Sequence, residues 1–150
     1  NKPECQKGLP ELRRIMQERW ASANAHKGAP SVSELEAIYD FSEKSEEDIK
    51  NECQIYHYPN VMRRIFEEWY SFKVGKNVKF TSNIQNQIAS VFNITSNSEK
   101  AKLGVLIKVC NILSHSINGS MNPQEIHKSA KYLMRLIQDK DKLHFDNMKN

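Results

Sequence analysis

Apolar residues recur at intervals of three and four along nearly the whole chain, with polar residues between them. That spacing lays one apolar stripe along each of a series of helices. Pro10, suited to a first helical turn, precedes Leu12, Ile15, Met16, Trp20 and Ala23, and Gly28 closes this first helix. Ser31, followed three residues later by Glu34, has the form of a capping box and opens a second helix with Val32, Leu35, Ile38 and Tyr39 inward. Ser45 starts a third, with Glu46, Glu47 and Asp48 complementing the positive end of the helix dipole. Its stripe is Ile49, Cys53 and Tyr56, and Pro59 stops it.

A fourth helix is predicted over 60–74, with Val61, Ile65, Trp69 and Phe72 on one face, Met62, Phe66 and Tyr70 beside them, and Gly75 at its end. Ser82 and Gln85 suggest a fifth start, leading to Ile84, Ile88, Val91 and Phe92. The sixth, over 98–117, carries Leu103, Leu106, Ile107, Cys110, Leu113 and Ile117, with Val105, Val109 and Ile112 on its other sides. A helix apolar nearly all round is normally enclosed by others, so this one is expected at the centre. Gly104 within it costs about 1 kcal/mol relative to Ala and suggests a close helix crossing. Asn122, Pro123 and Glu125 combine an N-cap, a first-turn proline and a capping-box acid. They open a last helix with Ile126, Ala130, Leu133, Leu136 and Ile137 buried.

The fold class that follows is all-α: a single compact bundle of about six or seven helices around the apolar helix 98–117. One short candidate strand, 77–80, has no partner of comparable length. The expected organisation is an N-terminal extension over 1–9, a helical domain over 10–139 and a charged, frayed tail over 140–150. The stretch from Leu103 to Ile117 is too short and too polar to span a bilayer, which needs roughly 20 apolar residues. A chain of 150 residues with 39% hydrophobic and 27% charged content can bury a core of its own and does not read as disordered.

Three cysteines, Cys5, Cys53 and Cys110, cannot all pair within one chain, which favours reduced thiols and an intracellular setting over a Cys53–Cys110 bridge. The sequence begins at Asn1 without a charged-then-apolar leader and is read as a mature product or an excised domain. Two glycosylation sequons, at Asn93 and Asn118, match chance expectation and carry no weight.

Charge changes the picture more than composition does. The net charge is only +4, yet 34–52 holds eight acids against two lysines and 63–135 holds eleven bases against four acids. A chain this dipolar is built to act on partners and encounter rates. The basic contacts expected are Arg63, Arg64, Lys73, Lys76 and Lys79, with Tyr70 as an aromatic anchor; the acidic face expected is Glu34, Glu36, Asp40, Glu43, Glu47 and Asp48.

Catalytic chemistry is not expected. No nucleophile elbow or phosphate-cradling glycine loop occurs, and His26, His57, His115, His127 and His144 are scattered. Cys53 and His57, four apart, are the nearest approach to a metal site and fall short of the four ligands zinc usually takes. Neither metal nor cofactor is therefore expected. The function that follows is a non-enzymatic helical interaction module with another protein as partner. Two readings compete with it. Tyr56, Tyr58, Phe66, Trp69, Tyr70, Phe72 and Phe80, interleaved with bases, resemble the aromatic and basic pattern of a single-strand nucleic-acid binder. A secreted helical carrier of a small apolar ligand, stapled by Cys53 and Cys110, is the other.

Overall fold

The computed structural model describes residues 14, 32–51, 55, 57–81, 83–115 and 122–149. Six helices lie among these residues: α1 (Val32–Ser42), α2 (Glu46–Lys50), α3 (Tyr58–Val74), α4 (Ile84–Val91), α5 (Asn97–His115) and α6 (Pro123–Lys149). The helix expected from Pro10 to Gly28 lies outside the described residues apart from Arg14, as do the capping residue Ser31 and both Cys5 and Cys53.

The Ser45 hydroxyl accepts from the Asp48 N–H at 3.2 Å and starts α2. Expected to continue toward Pro59, α2 instead ends at Lys50. The Asn51 N–H turns back to the carbonyls of Asp48 and Ile49, and the Asn51 side chain takes the Glu47 carbonyl at 3.4 Å. That carbonyl is the acceptor the next helical N–H would need. Pro59 sits in the first turn of α3, where its missing N–H costs nothing. Ser96 accepts from the Glu99 N–H at 3.1 Å and caps α5, and Asn122 Oδ1 accepts from the Gln124 N–H at 2.8 Å to cap α6. The last helix runs to Lys149.

α5 packs against α3, α4 and α6, and α6 also packs against α1, α2 and α3. The centre of the bundle is therefore the α5–α6 pair. Leu103, Leu106 and Val109 of α5, Ile126, Leu133 and Ile137 of α6, Ile65, Phe66 and Trp69 of α3, and Leu35, Ile38 and Phe41 of α1 are all buried. Val105, the residue before Leu106 and about 100° from it around α5, is not: it stays 37% exposed.

The segment expected as a lone strand forms no sheet among the described residues; it is docked on a helix. Val78 and Ser71 exchange two hydrogen bonds, the Val78 N–H donating to Ser71 Oγ at 2.9 Å and the hydroxyl donating to the Val78 carbonyl at 3.2 Å. Two residues on, the Phe80 N–H donates to Glu67 Oε2 at 2.8 Å. The match is geometric. Residues four apart on a helix rise about 6 Å, and residues two apart on an extended chain span about 6.6 Å. Gly75, at φ 76° and with its N–H on the Ser71 carbonyl at 2.9 Å, makes the reversal that brings the segment back along α3.

Candidate interaction surfaces

The basic segment of α3 is mostly occupied by its own protein. Arg64 pairs with Glu34 of α1, so one member of the expected basic face and one of the expected acidic face meet each other. Arg63 donates to Glu67 Oε2 at 3.3 Å, one helical turn on. Glu67 is itself 8% exposed and holds Phe80 as well, which makes this carboxylate a structural clip rather than a surface charge. Lys73 is half-buried and engaged in a further contact, whereas Lys76 and Lys79 are exposed on the segment leading to α4.

Tyr70 does not serve as an exposed anchor. It is 2% exposed, and its ring meets Phe80 at 6.4 Å and Phe92 at 5.9 Å between centroids. Burial also raises its phenol pKa above the ordinary value. The same rings absorb the aromatic run that suggested a nucleic-acid platform. Trp69 stacks on Phe92 at 5.2 Å, Phe66 meets Phe80 edge-on at 4.8 Å, and Tyr58 stacks on Phe41 at 4.0 Å. Tyr56 lies outside the described residues. An aromatic that is packed face to face within the protein has no face left for a base.

On the acidic side, Asp40, Glu47 and Asp48 are exposed, while Glu36 and Glu43 are half-buried and have contacts of their own. Among the described residues, no group of three or more His, Cys, Asp or Glu side chains is placed to hold a metal. His57 is exposed at the start of α3 with its ring tilted over Tyr58 at 4.1 Å. Cys110 is buried, and desolvation, followed by the Glu67 charge, pushes its thiol well above the ordinary range, with Arg63 opposing. A thiol in that state is not a nucleophile at neutral pH. His127 is 3% exposed against Phe41; burial, then the Lys131 charge, lower its pKa, and hydrogen bonds with the backbone at Ser42 and Lys44 and the charge of Glu46 partly offset them. No helix of the described residues is long and apolar enough to cross a membrane.

A surface that the hydrophobic pattern did not single out lies between α5 and α6. It is a groove of about 350 Å³. Ala101, Val105, Ser129 and Tyr132 line it, and Lys102, Lys128, Lys131 and Arg135, all exposed, complete its walls. The Tyr132 hydroxyl donates to Glu99 at 3.1 Å, and burial followed by that carboxylate raises its pKa. Ser129 is 3% exposed and its hydroxyl has no hydrogen-bond partner. The legible signal was the pairing of Val105 with Lys128, Lys131 and Arg135, three bases spaced three and four apart on the last helix.

No protein-family model matches the chain, and no solved structure matches it. Over 122 residues, 77% of the chain, it is 40% identical to the uncharacterized chromosomal cassette SCCmec type IVc protein CR006 of Staphylococcus aureus strain MRSA252. It is equally similar to the protein of that name recorded for Staphylococcus aureus without a strain. The chain spans 17% of the length of these relatives, so the likeness concerns one stretch of a much longer protein.

Proposed function

We propose that the chain is a non-enzymatic helical module that binds another protein through separate acidic and basic surfaces. The observation that carries this reading is the fate of the charges. Glu34, Arg63, Arg64 and Glu67 are consumed in internal pairing, yet Asp40, Glu47 and Asp48 on one side and Lys76 and Lys79 on another remain exposed. Exposed ion pairs contribute only about 0–1 kcal/mol to stability, so folding alone gives little reason to keep such charges segregated. Complementary fields do steer and orient protein association. The relatives carry the matching stretch as a small part of a long chain, which suits a module rather than a free-standing catalyst. Of the aromatic rings that a nucleic-acid reading requires, Phe66, Trp69, Tyr70 and Phe80 are buried in the core.

The test is quantitative cross-linking of the protein in its own source, comparing wild type with Lys76→Glu/Lys79→Glu and with Asp40→Lys/Glu47→Lys. These positions are exposed, so the variants are expected to fold. At least one reversal should cut the yield of a specific cross-linked protein by roughly tenfold. If both variants keep the wild-type cross-linking pattern, the charged surfaces are not the contact.

A further inference from the structure

The groove between α5 and α6 stands apart from those charged faces and has its own chemistry. Three observations define it. Val105, at 37%, is one of two large apolar side chains left exposed among the described residues, and it lies in the groove. Lys128, Lys131 and Arg135 run along the α6 wall, a row about 10 Å long at 1.5 Å per residue, with Lys102 opposite on α5. None of the four cations forms an ion pair among the described residues. Ser129, more than nine-tenths buried and lining the same groove, has a hydroxyl without a hydrogen-bond partner, which buried polar groups rarely lack.

We infer that this groove binds an acidic amphipathic helical segment of a partner protein, with apolar side chains over Ala101 and Val105 and carboxylates along the cation row. The volume decides how much enters. About 350 Å³ is near the lower end of the range for ligand clefts, so a few side chains fit inside while the backbone that bears them rides above. The cation row decides the charge and the shape. Bases three, four and seven residues apart on α6 answer carboxylates at the same spacing on a second helix. Glu99, the carboxylate that touches this wall, is held by the Tyr132 hydroxyl and leaves the balance at four cations to one anion. A nucleic acid would use the cations but waste the apolar lining, because Tyr132 is 7% exposed and offers no face for stacking. A small amphiphilic anion would need one cationic end, not a row along the whole wall.

The experiment is a display selection from a random peptide library of about 16 residues on the whole chain, followed by affinity measurement of synthetic peptides from the enriched set. Enriched sequences are expected to combine Glu or Asp with Leu, Ile, Met or Phe repeating at three- and four-residue intervals. Val105→Glu and Lys131→Glu/Arg135→Glu, all at exposed positions, should weaken those peptides by roughly tenfold or more, and raising salt should weaken the wild-type complex. Circular dichroism confirms that each variant is folded. Several results overturn the inference: no enrichment, enrichment of peptides without acidic residues, or unchanged affinity in both groove variants. So does displacement of the peptide by sodium decanoate or oligouridylate at concentrations below the peptide's own Kd. If peptide binding is lost instead with Lys76→Glu/Lys79→Glu, the groove is the wrong site while the charged-face reading stands. If cross-linking fails but the groove peptides behave as described, the reverse holds.

Discussion

Removing the Glu67 carboxylate should loosen the segment it holds without touching the rest of the bundle. In Glu67→Ala the Phe80 N–H loses its acceptor at 2.8 Å, and Phe80 is 6% exposed, so water does not readily replace it. Orphaning a buried donor costs about 1–3 kcal/mol. The same change frees Arg63, but its side chain is 29% exposed and turns to solvent, so the lost pair adds no more than about 1 kcal/mol. Against this, the variant no longer buries a charge, which returns part of the loss. The net expectation is destabilisation of about 2 kcal/mol. For a domain of this size that corresponds to a fall in Tm of about 4–8 °C.

Glu67→Gln separates the two halves of the clip. Its amide oxygen still accepts from Phe80, so it should lose about half as much as the alanine variant. Urea unfolding followed by circular dichroism gives the free energies, and amide exchange at Phe80 gives the local consequence. Val78 keeps its bonds to Ser71 and should retain more protection than Phe80. Unchanged exchange at Phe80 in Glu67→Ala, or a midpoint shift worth less than about 0.5 kcal/mol, would refute the claim that this carboxylate holds the segment.

Two further outcomes follow from single side chains. His127 has its pKa lowered by burial and by Lys131, so the unfolded chain takes up a proton near pH 6.5 that the folded one resists. Stability from this residue is complete above about pH 6.5 and falls as the pH drops toward the folded pKa, at no more than about 1.4 kcal/mol per pH unit; His127→Gln should flatten that slope in urea melts at a series of pH values. Gly75 sits at φ 76° with open space where a Cβ would go, so Gly75→Ala should cost about 1 kcal/mol by backbone strain alone, and Gly75→Asn should recover part of it, as Asn93 already tolerates φ 56° in this chain.

The helices were legible because their signals are local. Ser45 and Asn122 cap the helices they announce, and Ile65 and Trp69 of α3, Leu103, Leu106, Ile107 and Cys110 of α5 and the whole expected stripe of α6 are buried, while Val61 and Phe72 at the ends of the α3 stripe are half-buried. Where local signals misled, a side chain had a choice that spacing does not reveal. Asn51 can continue a helix or take the Glu47 carbonyl and end it, and it does the latter. Ser96 and Glu99 form the capping pattern that starts α5, several residues ahead of its apolar run. At Gly104, where a close helix crossing was expected, the nearest group to a would-be Cβ is the Gln85 side chain at 3.2 Å.

The interaction surface was harder to read for a reason that lies in the physics of charge. Counting bases along the chain weighs Arg64 and Arg135 alike, but only the fold decides which has a carboxylate within reach. Arg64 meets Glu34 from 30 residues away, and Arg63 and Glu67 close on each other, so the basic segment of α3 is partly neutralised. Lys128, Lys131 and Arg135 of the last helix lie instead beside Val105, which stays exposed among the described residues. Apolar character all round α5 suits a helix set among others; the exposure of Val105 is what gives the four cations an apolar surface to share with a ligand. An apolar residue left at the boundary of two packed helices, flanked by unpaired like charges, is a stronger pointer to a binding surface than the total charge of the segment that bears it.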